Sequence, residues 1–281
     1  MKHFLSIFLI AIATITITLQ SCETATKSIV IGNESWDVNR SLTYLTKAVL
    51  EKKGFDVKIK NQGIEKIFSD LNNGSIDLYM DAWENAHYVY IYEHPGLEDL
   101  DEIYTGCQMG VAVPSYFDVD SLSHLKADSS AYDNIFYGLK RNAGVMISAT
   151  AAFKNYNMKP KVVAMEEDEL MNQLQIMYDK EENFIVSAWK PHWKIKHFDL
   201  KFLTDTSNSF GESEDIHVYG KPGFKSENPE VAEIVSRMFL TDDQLTELLL
   251  LVKEEDNEEG YQKAASVWIE NNRSAVDSWI K

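Results

Sequence analysis

The sequence predicts an α/β protein of two lobes, each built on a doubly wound sheet, with a ligand cleft at the hinge between the lobes. Short apolar runs typical of buried strands alternate with amphipathic helical segments, the order that produces parallel sheets. The alternation occurs in residues 29–113 and again in residues 114–204, and residues 205–281 are predicted to return to the first lobe. Ligands bind outside the carboxyl ends of the strands in such folds, and hinge closure around the ligand is a common motion.

The first lobe is predicted from an alternation of strands and helices. Residues 29–32 form a buried strand, and residues 41–53 form a helix with apolar residues on one face and a glycine at its end. Residues 55–59 alternate as a second strand, and a second amphipathic helix at 63–73 leads to a third strand at 76–80. This β-α-β-α-β order favours a parallel sheet.

The second lobe and the return to the first are predicted in the same way. A strand at residues 110–113 carries the chain out of the first lobe. The second lobe then contains strands near 145–147, 161–164 and 184–188 and helices near 150–156 and 167–178. A return strand at 215–219 precedes helices at 229–238, 242–253 and 261–279, in which Trp268 and Trp279 are expected to be core residues.

The start of the chain is predicted to be an export signal and a tether, outside the fold. A short basic start precedes an apolar stretch at residues 4–19, which is short for a bilayer span. Residues 1–21 are therefore predicted to be a signal peptide and residues 22–28 a tether. Cys22 and the residues before it resemble the bacterial lipobox, so lipid chains on Cys22 would hold the protein to a membrane surface outside the cytoplasm. An ordinary cleaved signal with an unmodified cysteine is the alternative.

Composition restricts the classes of partner and of chemistry. The net charge is −17, with 44 acidic and 27 basic residues, which argues against nucleic acid and suits a cationic ligand. The sequence has no Gly-x-Ser-x-Gly elbow, no phosphate-binding loop and no His-Glu-x-x-His motif. No catalytic residue, cofactor or metal is therefore predicted, and Cys107 has no partner for a disulfide once Cys22 is lipidated.

Two of the six tryptophans stand at the carboxyl ends of predicted strands. Trp83 follows the strand at 76–80, and Trp189 follows the strand at 184–188. A ring at this position lines a cleft, although core packing is the alternative for each. Aromatic faces attract cations through the ring quadrupole and serve well for cations that cannot donate hydrogen bonds. The sequence therefore predicts a quaternary ammonium ligand.

Several motifs carry a resemblance to a known family. The most specific runs from residue 186 to 203 and includes Trp-Lys-Pro-His-Trp at 189–193. Gly-Ser-Ile-Asp at 74–77 leads into Trp83, and Glu-Asp-Ile-His at 214–217 precedes Asn-Pro-Glu-Val-Ala at 228–232. Together they resemble the substrate-binding proteins of ABC importers for glycine betaine, choline and related quaternary amines, over nearly all of the chain after residue 28.

The resemblance implies a periplasmic-binding-protein fold of the type II-like class and a receptor that is not an enzyme. Its partners would be a small quaternary amine, a membrane permease and the ATPase of that permease. Trp83 and Trp189 would be walls of an aromatic cage, meaning a set of rings that surrounds a methylated ammonium group.

Trp36 is a third candidate wall, since it lies between the first strand and the first helix. In betaine binders the resemblance implies that the backbone amides of Asp37 and Val38 hold the ligand carboxylate, and a helix N-terminus favours an anion. In choline binders the Asp37 side chain would instead face the hydroxyl or ammonium end. Both interpretations stay open, with a simple helix cap or core packing as the alternative.

Four further residues are candidates for the ligand site. His217 is expected to donate to a ligand carboxylate from the return strand. His192 and Trp193 belong to the motif, and Tyr104 is expected to close one wall of the cage. A structural role is the alternative for each of them.

Two other functions compete with this one. A secreted hydrolase would use paired carboxylates such as Asp81 and Glu84 on a sugar held by tryptophans. A binder of the same fold could take another cation, such as choline, carnitine or a polyamine, and a polyamine would need carboxylates in the cleft.

Overall fold

The computed structural model describes residues 28–127, 129–141 and 143–281. The predicted signal peptide and Cys22 lie outside the described residues. Nine strands are present in these ranges: β1 (Ser28–Asn33), β2 (Asp56–Asn61), β3 (Leu78–Trp83), β4 (Glu98–Pro114), β5 (Ile135–Gly138), β6 (Lys161–Ala164), β7 (Ile185–Lys190), β8 (Leu200–Phe202) and β9 (Glu214–Gly220).

Twelve α-helices and one 3₁₀ helix, at Ser129–Tyr132, accompany the strands in the described ranges. They are α1 (Asp37–Lys52), α2 (Ile64–Asn72), α3 (Tyr88–Glu93), α4 (Leu122–Ala127), α5 (Gly144–Asn155), α6 (Glu167–Asp179), α7 (Trp193–His197), α8 (Phe224–Glu227), α9 (Pro229–Ser236), α10 (Asp242–Lys253), α11 (Glu258–Asn271) and α12 (Arg273–Trp279). Within these ranges no helix combines the length and apolar character that a membrane span requires.

The strands form one curled sheet in the order β2-β1-β3-β9-β4-β7-β5-β6, with β8 paired to β4. β1 is parallel to β2 and β3, and β5 is parallel to β6 and β7. The long strand β4 joins the two parallel groups, because it pairs with β9 up to Cys107 and with β7 from Gln108. The predicted two-lobed α/β class is confirmed, whereas the lobe boundaries near residues 113 and 204 stay predictions.

The helices of the first lobe form because their apolar residues recur on one face. In α1, Leu42, Leu45 and Val49 are fully buried at helical spacing. α2 lies close over β1, where a Cβ atom on Gly32 would come within 2.9 Å of the Ile67 side chain. Only glycine therefore leaves room for this approach without a shift of the neighbouring side chain.

Two predicted elements differ from the structure. The predicted strand at residues 145–147 is wrong, because these residues lie in α5. The three residues Val-Met-Ile are all apolar, and such a short continuous run has no periodicity that would separate a strand from a buried helix. The strand of this region is β5, ten residues earlier. The predicted helix at 261–279 is divided into α11 and α12.

The C-terminal helices pack around Trp268, which supports a stability prediction. Its side chain is fully buried, stacks on Trp279 with ring centroids 5.8 Å apart, and donates from Nε1 to the carbonyl oxygen of Gln244 at 2.8 Å. Trp268→Ala is expected to lower the free energy of unfolding by about 3–5 kcal/mol in urea titrations. The neighbouring Val267, 40% exposed, supplies the control Val267→Ala. Equal shifts in the two variants would contradict this assignment of the core.

Candidate functional site

Trp83 and Trp189 project from the same face of the curled sheet. Trp83 lies opposite Ile216 on β9, and Ile216 lies opposite Tyr104 on β4. Further along β4, Met109 lies opposite Trp189. Antiparallel partners share a face, and the register shift after Tyr104 keeps Met109 on that same face. Both tryptophans are half-buried, at the carboxyl ends of β3 and β7, with β9 and β4 between them.

A buried carboxylate fixes the ring of Trp83. The indole Nε1 donates to Oδ1 of Asp81 at 2.8 Å, and Asp81 is only 4% exposed. Burial raises the pKa of Asp81 to about 8, the hydrogen bond from Trp83 opposes this rise, and the charge of Glu34 adds to it. Asp81 is thus a buried titratable group in direct contact with the indole of Trp83.

The loop after Trp83 is held by hydrogen bonds to its backbone. Glu214, at the start of β9, accepts from the amides of Asn85 at 2.8 Å and Ala86 at 3.4 Å. The amide of Trp83 donates to Nδ1 of His87 at 3.1 Å. Burial lowers the pKa of His87 to about 4, which leaves the imidazole neutral and able to accept at Nδ1. Hydrogen bonds thus hold the indole nitrogen of Trp83, its backbone amide and the loop that follows it.

Trp189 makes a cation–π contact with a lysine of the protein. The ammonium of Lys194 lies 3.1 Å from the centroid of the Trp189 ring. Lys194 is completely buried, and its ammonium makes no hydrogen bond with any atom of the described residues. Burial lowers the pKa of Lys194 to about 7, against the opposing charges of Glu167 and Asp37.

His192 holds the turn between Trp189 and Lys194. Its Nδ1 accepts from the amide of Lys194 at 3.0 Å, so Nε2 carries the hydrogen and donates to Glu167 at 2.8 Å. Burial lowers the pKa of His192 well below its ordinary value, which makes this contact a hydrogen bond of a neutral ring. His192 is 5% exposed, and its two nitrogens are both used within the protein.

Trp193 and Asp37 connect α7 of the second lobe with α1 of the first. The indole Nε1 of Trp193 donates to Oδ2 of Asp37 at 3.2 Å, and Arg40 donates to Oδ1 of Asp37 at 3.1 Å. The ammonium of Lys253 lies 4.3 Å from the Trp193 ring centroid. A cavity of about 820 Å³ is lined by Asp37, Trp193, Lys253 and Glu167, among others. The indole nitrogen of Trp193 and one carboxylate oxygen of Asp37 are thus paired with each other.

The loop before α1 keeps Trp36 accessible. Trp36 is 49% exposed and directly precedes α1 in an extended backbone conformation. Val38 is buried, and its only polar groups are those of its backbone. The first amides of a helix have no partners within that helix and favour an anion. The negative charge of Glu34 in this loop adds to the raised pKa of Asp81.

Tyr104 and His217 do not take the places that the sequence suggested. Tyr104 shares the face of Trp83 but is 1% exposed, and its hydroxyl donates to Asp242 at 2.7 Å. His217 lies opposite Ala82 on β9, one residue from the partner of Trp83, and therefore points to the other face of the sheet. Tyr104 is a core residue rather than a cage wall, and His217 is turned away from Trp83.

His217 is instead enclosed by carboxylates. Its Nδ1 lies 3.1 Å from both carboxylate oxygens of Asp99, and its Nε2 lies 3.8 Å from Glu84. Glu84 therefore reaches the face opposite to Asp81. The two carboxylates suggested for a hydrolase do not form a pair.

Two groups of side chains in the described ranges are close enough to share an ion: Asp37, Glu167 and His192, and Glu84, Asp99 and His217, each with donor atoms within 4.8 Å of one another. In the first group both carboxylates already face the charge of Lys194. In the second group the two nitrogens of one imidazole face different carboxylates, which prevents a shared ion from using both. We assign a metal to neither.

Sequence reasoning missed Lys194, Glu167 and Glu214. A lysine after the Trp-Lys-Pro-His-Trp motif has the character of a surface residue, and isolated glutamates are common in so acidic a chain. Lys194 is buried because the chain turns after Trp189 and brings Lys194 under that ring. No signal in the sequence identifies this burial.

The family model for the substrate binding domain of the ABC-type glycine betaine transport system matches residues 27–271. The chain belongs to this family. Within the family, the glycine betaine/carnitine transport binding protein GbuC of Listeria monocytogenes is 30% identical over 145 residues, which is 50% of this chain and 47% of GbuC. The chain thus matches about half the length of that relative.

Solved structures of family members have the same fold. Lactococcal OpuAC, in its closed conformation with glycine betaine, superposes with a TM-score of 0.77 at 24% identity, over 91% of this chain and 100% of that chain. The glycine betaine/L-proline-binding protein ProX of Borrelia burgdorferi superposes with a TM-score of 0.75 at 26% identity, over 91% and 97% of the two chains. These matches confirm the predicted periplasmic-binding-protein fold.

Proposed function

We propose that this protein is the extracytoplasmic substrate-binding lipoprotein of an ABC importer. It encloses glycine betaine or a related quaternary amine in an aromatic cage and delivers it to the membrane permease, and Cys22 anchors it to the membrane. The observation that carries the proposal is that Trp83 and Trp189 stand at strand ends on one face of the sheet, in a chain of this family.

The chemistry of the ligand explains why rings are needed. A trimethylammonium group spreads its charge over methyl groups and offers no hydrogen-bond donor, so aromatic faces supply both apolar contact and quadrupole attraction. At about 1–2 kcal/mol for each desolvated ring, three rings contribute roughly 3–6 kcal/mol. This is around half of the binding free energy that corresponds to a micromolar dissociation constant. Trp36, accessible before α1, is the third ring of the proposal.

The contacts of Asp37 favour a ligand that carries a carboxylate. Its two carboxylate oxygens accept hydrogen bonds from Arg40 and from Trp193, so the side chain is not free to bind a ligand hydroxyl or ammonium. The backbone amides of Asp37 and Val38 at the N-terminus of α1 are then the polar contribution of this loop, and they suit an anion. We therefore propose glycine betaine over choline as the preferred ligand.

The proposed role is binding without catalysis. Asp81 and Glu84 reach opposite faces of the sheet, which removes the carboxylate pair on which the hydrolase alternative depended. The importer's ATPase would supply the energy for transport, and nucleic acid has no part in it.

Calorimetric titration of the chain without its first 22 residues tests this proposal. The ligands are glycine betaine, choline, carnitine and spermidine. We expect glycine betaine to bind most tightly, in the micromolar range or below, with a change in tryptophan fluorescence as the rings meet the ligand. Binding of spermidine alone, or of none of the quaternary amines, would contradict the proposal.

A further inference from the structure

Lys194 is an unusual group to find beneath a ring that is placed to meet a cation. Its side chain is completely buried, its ammonium has no hydrogen-bond partner in the described residues, and the nearest feature is the Trp189 ring, 3.1 Å from the ammonium to the ring centroid. Burying an ammonium without hydrogen bonds is costly, so such a lysine calls for a physical explanation.

We propose that Lys194 is a specificity-determining residue, whose buried ammonium on the Trp189 ring disfavours ligands that carry only positive charge and so selects zwitterionic amines over choline. The inference rests on the proposed function, because it requires Trp189 to be a wall of the ligand site. Lys194 acts through Trp189 and is therefore a positioning residue, which makes no contact with the ligand.

Lys194 and a ligand would contact different parts of the Trp189 ring. Lys194 is fully buried whereas Trp189 is only half-buried, so the part of the ring that a ligand can reach is the part that Lys194 does not cover. A ligand ammonium on the opposite side of the indole would lie roughly 7 Å from the lysine nitrogen, adding the usual ring-to-cation separations on both sides.

Two carboxylates and one neutral imidazole face Lys194. The carboxylates are Glu167 on α6 and Asp37 on α1, and the imidazole is that of His192 before α7. Glu167 accepts from His192, and Asp37 accepts from Arg40 and Trp193. Both carboxylates are thus engaged with other donors, and the ring receives the closest approach of the ammonium.

A positive charge on Lys194 affects choline and glycine betaine differently. Choline has a net charge of one, so a second positive charge across the ring repels it. Glycine betaine carries a carboxylate at the other end of the molecule, and the attraction of Lys194 for that carboxylate offsets much of the repulsion. Unit charges roughly 7 Å apart near a protein surface change an affinity by about tenfold or more.

The pKa of Lys194 supports the same conclusion. Because burial lowers this pKa to about 7, the ammonium is largely charged near pH 6 and largely neutral near pH 8.5. Discrimination against choline should therefore be strongest at the lower pH and decrease as the pH rises.

The test compares Lys194→Met with the parent chain by titration calorimetry at about pH 6 with glycine betaine and choline. Met fills a similar volume without charge. We expect the ratio of choline affinity to glycine betaine affinity to rise about tenfold in the variant. The control is Lys196→Met, on the same helix with 67% of its side chain exposed, which should leave the ratio unchanged.

A measurement on the parent chain covers the case in which Lys194→Met does not fold. In the parent, the same ratio should rise between about pH 6 and about pH 8.5 as Lys194 loses its proton. Asp81 also ionises in this range, so the same pair of measurements on Asp81→Asn gives the part of the slope that remains for Lys194. A folded variant with the parent's ratio, or a parent whose ratio is constant with pH, overturns the role of Lys194 alone. A parent that binds neither ligand overturns the proposed function as well.

Discussion

Trp83→Ala and Trp189→Ala are each expected to weaken the binding of glycine betaine by about 1–3 kcal/mol, and the double variant by about a hundredfold or more. Each variant removes one aromatic wall from a cation that has no hydrogen bonds to replace it. Both rings are half-buried at strand ends, so the loss of folding stability should be small compared with Trp268→Ala. Titration calorimetry measures the affinities, and urea unfolding confirms that each variant is folded.

Tyr92→Ala is the control for these variants, because Tyr92 is a large aromatic residue with 71% exposure on α3. It should bind glycine betaine as the parent does. If the two tryptophan variants also bind like the parent, the rings are not walls of the site.

Asp81→Asn is expected to change how stability depends on pH. The unfolded chain releases this proton near the ordinary pKa of 3.8, whereas burial raises the pKa of Asp81 in the folded protein to about 8. The folded state therefore binds more protons between these values, and the stability of the parent falls as the pH rises from about 4 to about 8. Asparagine keeps an oxygen for the Nε1–H of Trp83 but has no proton to lose.

Urea unfolding at about pH 5 and about pH 8 measures this effect. The difference between the two pH values should be clearly smaller in Asp81→Asn than in the parent. Asp243→Asn, at a carboxylate with 95% exposure, is the control and should keep the parent's difference. Parallel behaviour of Asp81→Asn and the parent would show that Asp81 does not hold its proton at neutral pH.

Features that depend on local pattern could be predicted from the sequence. The alternation of apolar strands with helices of one apolar face gave the two-lobed α/β class, and the positions of Trp83 and Trp189 followed from the ends of two such strands. Both signals are local, because strand and helix periodicities differ and a strand end is marked by the loop that follows it.

Features that depend on strand register and on long-range packing could not be predicted from the sequence. The sequence alone suggests that His217 reaches the ligand from its strand. Successive residues of a strand point to opposite faces, however, and the register puts its neighbour Ile216 beside Trp83. The burial of Lys194 could not be predicted from local pattern either. Its burial depends on how the chain turns after Trp189 and on carboxylates from α1 and α6, which are distant in sequence.

A crystal structure of the chain with glycine betaine tests the central claim most directly. We expect the trimethylammonium group within about 6 Å of the ring centroids of both Trp83 and Trp189, with the carboxylate on the amides of Asp37 and Val38. A ligand that lies in the cavity of Asp37, Glu167 and Trp193, without contact to either ring, would contradict the account.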